Sequence, residues 1–600
     1  MGFFTRLRNE WLGLRGSLRT LRLITPIAKN PTRVFPYVFE EIAQRNGDRE
    51  ALISERERFT YRQLDERANR YARWARAQGV GKGDVVALLM LNRPEYVAIW
   101  LGITRAGGAV ALLNTNLSGA SLAHCINIVT PKAVIAGQEL AGVLGTARPM
   151  LTNGPAVWMF GDADGSDPRL DTLIEEFSAE SIPAGERPPI TIEDKALFIY
   201  TSGTTGMPKA ANINHYRLMA MTHGYCGVMN VKPDDRMYDC LPMYHSNGGV
   251  LAVGAPLVGG ATVVIREKFS ARDFWDDVVR WDCTLVFYIG ELCRYLVNTP
   301  VSPSEAKHRV RAFCGNGLRP DIWAEFKTRF RIPEILEWYA ATEGNVAILN
   351  FDGTEGAVGR IAKWAERRFV VKIVRFDVET EQPVRGPDGR CIECEPGEVG
   401  EVVGQIVNDP NKPANRFEGY ADRAATEKKI LRDAFAPGDA WFRTGDLMKK
   451  DEYGYFFFVD RIGDTFRWKG ENVSTSEVAE AINTFPGIKE TNVYGVNLKG
   501  RDGRAGMAAV VTDGQPLDLI GLREHMEQHL PDYARPLFLR IQPEIEVTGT
   551  FKQKKVELVK EGFDPAVVPD AIWFNSPETK RFERLDDEMY RRIQDCEIRL

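Results

Sequence analysis

Ten residues of the sequence, from Tyr200 to Lys209, combine side chains and backbone freedom that suit the binding of phosphate. They supply four serine or threonine hydroxyls, two glycines and one lysine. Hydroxyls and backbone N–H groups donate to an anion, glycine lets the backbone curl around it, and lysine adds positive charge. Only two residues separate Gly203 from Gly206 and Pro208 precedes the lysine, which excludes the P-loop of nucleoside triphosphatases. A plain surface turn is the alternative, but the whole string after a buried apolar run favours a phosphate cradle between a strand and a helix.

Four further stretches carry the residue types that nucleotide chemistry needs. Residues 337–344 place an aromatic ring, a hydroxyl and a carboxylate together, which suits a base, a phosphate and Mg²⁺. Residues 443–446 end in a carboxylate after a tight turn, which suits a pair of sugar hydroxyls. Residues 460–461 and 548–552 add an arginine and a lysine. Each group alone is typical of a solvated surface, so only the combination is informative.

The bulk composition limits the classes of function. With 600 residues, 44% of them hydrophobic and 26% charged, the chain is expected to be a soluble globular protein of two or more domains. Its net charge of −5 gives no general attraction to nucleic acid. Nine irregularly spaced cysteines are typical of reduced thiols in the cytosol, and no second pair accompanies Cys391 and Cys394 to complete a zinc site. No signal peptide is evident, so a cytoplasmic location is expected.

Residues 1–33 form a separate basic, amphipathic segment. Apolar residues recur at spacings of three and four, on one face of a helix: Phe4, Leu7, Trp11, Leu14, Leu18 and Leu21. Arginines are interspersed, Gly13 and Gly16 weaken the helix, and Pro26 is expected to end it. Such a helix suits an anionic membrane surface, which predicts peripheral association with the cytoplasmic face. Packing of the helix on the body of the protein stays open as the alternative.

The rest of the chain predicts an α/β fold. Apolar β-type runs alternate with amphipathic helices from about residue 35 to 460, which indicates αβ-layered, mostly parallel sheets. A β-rich subdomain is expected at 369–407, and a smaller, mobile α+β C-terminal domain follows a charged turn that contains Gly463. The predicted domains are therefore residues 34–462, the large N-terminal domain, and 463–600, the C-terminal domain with a tail. The uncharged run 248–265 is interpreted as buried core rather than a membrane span, and the tail after Phe563 as a surface extension.

The five stretches, taken together and in this order, resemble the adenylate-forming superfamily of acyl-CoA synthetases, adenylation domains and luciferases, over roughly residues 40–560. Residues 288–295, 460–474 and 548–555 are similar to the branch of fatty-acid-transport proteins and very-long-chain acyl-CoA synthetases. Two departures are visible. The glycine that follows Tyr339 in the family is Ala340 here, and Gly463 stands where many relatives carry an aspartate or lysine at the hinge.

The resemblance implies a role for each matching residue. The phosphates of ATP would be held by Thr201, Ser202, Gly203, Thr204, Thr205, Gly206 and Lys209. The adenine would stack on Tyr339 in a pocket that also contains Gly315, Asn316 and Gly317. Thr342 would contact the α-phosphate, Glu343 and Thr204 would hold Mg²⁺, and Asp446 and Arg461 would bind the ribose. Lys552 would bridge the acyl carboxylate and the α-phosphate, His245 would line the route to the carboxylate, and Gly470 would serve the thioester step.

The implied activity is that of an ATP-dependent long-chain or very-long-chain fatty acyl-CoA synthetase, with ATP, Mg²⁺ and coenzyme A as the small molecules it uses. The acid first forms acyl-AMP and pyrophosphate, and the CoA thiol then displaces AMP. Two alternatives stay open: a fatty-acid transport or carrier protein in which ligation is secondary, and transfer of the acyl-adenylate to a carrier protein. The expected partners are a fatty acid and a membrane surface, no nucleic acid is expected, and a homodimer is left open.

Overall fold

A computed structural model of the chain describes residues 2–162, 165, 167–201, 207–366, 370–409, 415–501, 503–547 and 553–598. It divides into two compact units. The first contains residues 1–362, 404–432 and 439–442, and the second contains residues 363–403, 433–438 and 443–600.

The first unit is built from helices layered on two sheets. Its helices are α1 (Phe3–Lys29), α2 (Phe35–Asn46), α3 (Tyr61–Ala77), α4 (Pro94–Arg105), α5 (Gly119–Asn127), α6 (Ala141–Ala147), α7 (Leu170–Leu173), α8 (His215–Val228), α9 (Ala252–Val258), α10 (Phe274–Arg280), α11 (Gly290–Val297), α12 (Pro320–Arg329) and α13 (Arg423–Glu427). Its two short additional strands are β15 (Gly359–Arg360) and β19 (Ile430–Arg432).

Both sheets of the first unit are mainly parallel. The eight-stranded sheet has the spatial order β14 (Ala347–Asn350), β13 (Glu334–Ala340), β12 (Ala312–Asn316), β11 (Leu285–Ile289), β9 (Arg236–Asp239), β10 (Thr262–Ile265), β1 (Glu50–Ile53) and β2 (Arg58–Thr60). The six-stranded sheet has the order β6 (Ala156–Phe160), β5 (Ala133–Gly137), β3 (Val85–Leu89), β4 (Ala109–Leu112), β7 (Lys195–Thr201) and β8 (Lys209–Asn214). Antiparallel pairs occur at β13–β14, β1–β2 and β7–β8. The inner parallel strands β3, β4, β5 and β10 are fully buried, as expected for parallel strands covered by helices, whereas the edge strands β2 and β6 are largely exposed or partly exposed.

The second unit is α+β. One of its sheets contains, in order, β21 (Tyr455–Arg461), β20 (Ala440–Lys450), β18 (Val399–Gln405), β16 (Val371–Asp377) and β17 (Gln382–Pro383), of which β18 and β20 cross the boundary between the units in the sequence. A hairpin pairs β22 (Phe466–Trp468) with β23 (Glu471–Val473). The remaining sheet has the order β24 (Ile488–Asn497), β25 (Arg504–Thr512), β26 (Phe538–Gln542), β27 (Ala571–Ser576) and β28 (Arg581–Arg584). Its helices are α14 (Thr475–Asn483), α15 (Leu519–His529), α16 (Val556–Glu561) and α17 (Asp587–Gln594).

The structure confirms the predicted α/β class, with a larger N-terminal and a smaller C-terminal part. The predicted domain boundary at residue 462 stays a prediction. The uncharged run 248–265 is buried core, made of a π-helical turn (Asn247–Leu251), α9 and β10. Among the described residues, no helix is both long enough and apolar enough to cross a bilayer.

The segment after Phe563 was wrongly interpreted as a surface extension. It contributes β27 and β28 to the sheet, and Ile572 and Phe574 are buried in the core of the second unit. The error has a physical reason. The apolar run of β27 is only four residues long and is followed by polar Asn575 and Ser576, which are also buried. The strand gains its stability from pairing with β26 rather than from its own sequence pattern.

The face of helix α1 that carries small and polar residues packs on the rest of the first unit. It packs on α8, where an added Cβ at Gly227 would strike the Thr20 backbone, and Gly16 leaves room for the ring of Phe351. Arg19 Nη2 donates to the carbonyl of Val228 at 2.8 Å. Glycine in this helix therefore serves close packing.

Pro26 does not end α1, which continues to Lys29. A proline withdraws only its own N–H from the helix, so a final turn can persist when its end is capped. Asn30 provides that cap, because its backbone N–H donates to Ile27 at 3.2 Å and its side chain donates to Pro26 at 3.0 Å.

Candidate active site

The two ends of the predicted phosphate loop are paired strands. Thr201 ends β7, Lys209 begins β8, and the two residues face each other in the antiparallel pair. The predicted strand-to-helix turn is therefore wrong, since α8 begins only after β8, where the Asn214 side chain accepts from the N–H of Arg217 at 2.8 Å. The small and amide residues of β8 form a strand because β7 offers it a partner. The predicted loop residues Ser202, Gly203, Thr204, Thr205 and Gly206 lie outside the described residues.

The turn after β13 carries Thr342 and is fixed from two sides. Arg217 on α8 donates from Nη2 to the carbonyl of Ala341 at 2.8 Å. Burial lowers the pKa of the Arg217 guanidinium, and Glu343 and Glu418 act against that shift. On the other side, Thr342 Oγ1 lies 3.4 Å from Ser246 Oγ. The hydroxyl predicted to contact the α-phosphate is thus held in place by the segment that contains His245.

Glu343 is buried, with 8% of its surface exposed, and is held by a tyrosine that the sequence analysis missed. Tyr420 donates from Oη to Glu343 Oε1 at 2.6 Å. The Tyr420 ring lies beneath Lys209, whose Nζ is 5.5 Å from the ring centroid. Burial, followed by the charge of Glu343, raises the pKa of Tyr420, while a hydrogen bond with the Thr201 side chain acts to lower it. One ring therefore contacts both ends of the phosphate loop and the predicted metal ligand.

The predicted adenine pocket lies at the carboxyl ends of β12 and β13. Gly315 and Asn316 end β12, Gly317 follows with φ of +83°, and Tyr339 lies near the end of β13. Asn247 in the π-helical turn donates from Nδ2 to Asn316 Oδ1 at 2.8 Å. The carboxyl ends of adjacent parallel strands are the usual place for a ligand in such sheets.

A second carboxylate supports this pocket from behind. Glu337 accepts from the Tyr288 hydroxyl, from the N–H of Gly317, and from the N–H of Leu318 at 3.2 Å. Burial raises the pKa of Glu337 to about 8, although these donors act to lower it. No role for Glu337 was predicted from the sequence. Its only signal was a carboxylate inside an apolar strand, which must find donors there.

His245 lies where the chain enters the π-helical turn. Its ring contacts that of Tyr244, with centroids 4.5 Å apart, and its carbonyl accepts from the N–H of Gly249 at 2.8 Å. An added Cβ at Gly249 would strike the carbonyl of Met243, so only glycine permits this tight path. His245 and Ser246 are adjacent, which brings His245 close to the Thr342 turn.

The predicted ribose ligands belong to the second unit and face each other across β20 and β21. The Nε atom of Arg461 is 3.8 Å from Asp446 Oδ1, and 40% and 18% of the two side chains are exposed. The predicted tight turn before Asp446 is wrong, because residues 443–446 lie within the continuous strand β20, where Glu401 forms a 2.9 Å ion pair with Arg443. Gly470, with φ of +83°, connects β22 to β23. Lys552 lies outside the described residues.

Of the two predicted Mg²⁺ ligands, Glu343 is described by the structure and Thr204 lies outside the described residues. In the described part of the chain, no group of three or more His, Cys, Asp or Glu side chains could hold a metal ion on its own. Mg²⁺ commonly takes one or two protein carboxylates and completes its shell with water and substrate phosphates. Glu343, buried and oriented by Tyr420, fits that arrangement.

The chain is similar to known protein families, to a named protein and to solved structures. The family model described as AMP-binding enzyme matches residues 39–405, and that of the AMP-binding enzyme C-terminal domain matches residues 477–552. The long-chain fatty acid transport protein 1 of Mus musculus is 42% identical over 594 residues, which cover 98% of this chain and 91% of that protein. The solved structures of the anthranilate CoA ligase AuaEII with anthranoyl-AMP and of ATP-bound MatB from Rhodopseudomonas palustris share the fold. Each has a TM-score of 0.73 and covers 88% of this chain. The anthranilate CoA ligase is 19% identical, with 96% of its own chain covered, and MatB is 24% identical, with 98% of its own chain covered.

Proposed function

The chain belongs to the AMP-binding enzyme family and, within it, to the long-chain fatty acid transport proteins, and we propose that it is an ATP-dependent ligase that joins long-chain fatty acids to coenzyme A. The observation that carries the proposal is the set of Thr201, Lys209 and Glu343 around one buried tyrosine. These are the hydroxyl, cation and carboxylate that a nucleotide triphosphate and its metal ion require.

The first step activates the acid. A carboxylate oxygen of the fatty acid attacks the α-phosphorus of ATP, the bond to the bridging oxygen of pyrophosphate breaks, and acyl-AMP forms. Since both reactants are anions, the site must neutralise charge as the transition state develops. Lys209 and the loop donors hold the phosphates, Thr342 contacts the α-phosphate, and Lys552 bridges the two reacting groups. Mg²⁺ held by Glu343 and Thr204 would supply further charge neutralisation when bound.

The second step uses coenzyme A. Its thiol loses a proton, the sulfur attacks the acyl carbonyl, and AMP leaves with the bonding electrons. Asp446 and Arg461 hold the ribose, and Gly315, Asn316, Gly317 and Tyr339 hold the adenine, so that AMP stays in place as the leaving group. His245 lines the route of the carboxylate, and Gly470 lies in the loop that serves thioester formation.

The substrate class follows from the relatives, whose names specify long-chain fatty acids. The test is release of AMP and pyrophosphate with a panel of fatty acids from short to very long chain, each with and without coenzyme A. We expect pyrophosphate release with long-chain acids alone, and AMP release only when coenzyme A is added. AMP release that does not depend on a fatty acid would contradict the proposal, and acylation of a protein instead of coenzyme A would favour transfer to a carrier.

Uptake of fatty acids is the second candidate function, because the relatives are named as transport proteins. If activation drives uptake, both depend on Lys552. We therefore expect Lys552→Ala to abolish acyl-AMP formation and cellular fatty acid accumulation together, while acyl-CoA formation from supplied acyl-AMP largely survives. Accumulation that persists in this variant would separate transport from ligation.

Helix α1 supports membrane association of this enzyme. Five of the six residues of its apolar stripe are exposed, among them Leu7 at 52%, Trp11 at 56% and Leu18 at 59%, and Leu21 is partly exposed. The opposite face is the one that packs on α8, so the stripe points away from the body. Exposed arginines accompany it, and one of them, Arg15, stacks over the Trp11 ring at 5.1 Å. An apolar stripe with a cationic border suits a bilayer that contains anionic lipid.

A vesicle-binding assay tests this role. We expect the full chain to sediment with vesicles of phosphatidylcholine and phosphatidylserine, and less with phosphatidylcholine alone. The double variant Leu7→Glu/Leu18→Glu should lose binding and keep its activity on a detergent-soluble acid. Val567→Glu, at an equally exposed apolar position elsewhere in the chain, is the matched control. Equal binding by the double variant and this control would show that α1 does not carry the association.

A further inference from the structure

Tyr420 lies on a short extended segment that is fastened to the phosphate-loop hairpin. The N–H of Asn212 on β8 donates to the carbonyl of Gly419 at 2.9 Å, and the N–H of Ala421 donates to the carbonyl of Ala210 at 2.8 Å. The N–H of Tyr420 itself donates to Thr426 Oγ1 at 2.9 Å. The backbone of this tyrosine is thus paired with the strand that follows the loop, and its ring position is set by that pairing.

The ring lies against two functional groups of opposite charge. Its hydroxyl donates to Glu343, and its face receives the ammonium group of Lys209. In the described part of the chain, Lys209 and Glu343 do not form an ion pair with each other. Such a pair would engage the phosphate-binding cation with the metal-binding carboxylate and make both less available to the nucleotide. A neutral ring that satisfies both groups at once prevents this, since an aromatic face attracts a cation and a phenol donates to a carboxylate.

The hydrogen bond also orients the carboxylate. It uses Oε1 of Glu343, and an ionised carboxylate offers about four acceptor positions, so the group retains capacity for a metal ion. A hydrogen-bond partner such as Tyr420, which is not itself a metal ligand, fixes the direction of a metal-binding side chain. The loss of such a partner commonly changes metal affinity by about 10- to 100-fold.

We propose that Tyr420 is a positioning residue for the metal–nucleotide complex: it keeps Glu343 and Lys209 apart and directs each toward its own ligand. The inference rests on the proposed function, because it requires ATP as the ligand of this site. Tyr420 acts through Glu343 and Lys209, which contact the nucleotide.

Calorimetric titration of the full chain with ATP, in excess Mg²⁺ and in EDTA, tests the proposal without relying on activity. Tyr420→Phe keeps the ring beneath Lys209 and removes the donor to Glu343. We expect it to weaken binding of MgATP by about tenfold or more and to leave binding of ATP in EDTA unchanged. Tyr420→Leu also removes the ring, so it should weaken binding in both conditions. Tyr61→Phe is the control, because it deletes a buried hydroxyl of the same unit that donates to the Ala261 carbonyl at 2.6 Å.

The outcomes separate this inference from the proposed function. If the wild-type chain binds MgATP and Tyr420→Phe binds it equally tightly, the positioning role is overturned. The role is also overturned if Tyr420→Phe loses affinity equally in Mg²⁺ and in EDTA, because the effect then does not involve the metal ligand. Failure of the wild-type chain to bind ATP would instead overturn the proposed function.

Discussion

Glu343 and Asp446 are both proposed to contact the nucleotide, yet the chain holds these two carboxylates in opposite ways. Glu343 is buried and accepts a 2.6 Å hydrogen bond from a tyrosine about eighty residues away in sequence. Asp446 is positioned by the register of two adjacent strands and faces the half-exposed Arg461 at 3.8 Å. The first is fixed by side chains and the second by backbone pairing.

The difference follows from what each group has to do. A carboxylate that holds a metal ion beside a reacting phosphate gains from a fixed direction in a site of low dielectric. A carboxylate that accepts two sugar hydroxyls can adjust to its ligand, and a weak ion pair at a half-exposed site costs little to rearrange. We therefore infer that the first region is preorganised and that the second adapts when the nucleotide binds.

The largest expected effect is at Glu343. Glu343→Gln keeps an acceptor for Tyr420 and removes the charge that would hold Mg²⁺. We expect the rate of acyl-AMP formation to fall by about 10²- to 10³-fold, comparable with the loss of one preorganised electrostatic group. Pyrophosphate release at increasing Mg²⁺ measures it, with Glu66→Gln on the exposed face of α3 as the charge-matched control. Turnover close to that of the wild type would remove Glu343 from the site.

A smaller effect is expected at Asp446. Asp446→Asn keeps the shape of the side chain and weakens the hydrogen bonds to the ribose. The KM for ATP should rise by about tenfold, with kcat changed much less, because a hydrogen bond that involves a charged group is worth about 1.5 to 3 kcal/mol. Steady-state kinetics with varied ATP separates the two constants. A fall in kcat as large as that of Glu343→Gln would contradict the inference that the Glu343 region is preorganised and the Asp446 region adapts.

The sequence pointed to some residues of these two regions and not to others. Asp446, Arg461 and Glu343 could be singled out because they belong to short contiguous motifs, and the roles that the family resemblance implies for them stay predictions. Tyr420 and Arg217 were missed because they come from segments far away in sequence. Tyr420 reaches the Glu343 turn on a segment paired with β8, and Arg217 reaches it on helix α8. A contact between such segments leaves no local periodicity to recognise.

The fold shows the same distinction. The parallel sheets were predicted correctly, since their strands are continuous apolar runs buried on both faces. The strands β8 and β27 were missed, because the residues of each strand do not indicate the neighbouring strand with which it pairs. For α1 the packing alternative holds for one face, which lies on the body, and membrane association through the exposed stripe stays a prediction.

The third prediction concerns Glu337, and its effect is on stability rather than turnover. In the folded state its pKa is about 8, above its ordinary value of 4.5, because burial disfavours the charged form. Its contribution to stability is therefore complete below about pH 4.5 and is lost as the pH rises toward 8. Within this window the folded chain retains a proton that the unfolded chain has released, so the free energy of unfolding falls with rising pH.

Glu337→Gln removes this dependence and keeps an acceptor for the N–H groups of Gly317 and Leu318. We expect its free energy of unfolding to change less with pH than that of the wild type, by up to about 1.4 kcal/mol per pH unit. Denaturant unfolding between pH 5 and pH 8, followed in the first unit, measures the difference, and Glu66→Gln again controls for the lost charge. Parallel slopes for Glu337→Gln and the wild type would mean that the buried carboxylate does not retain its proton. The pocket behind the adenine would then be held by an ionised carboxylate.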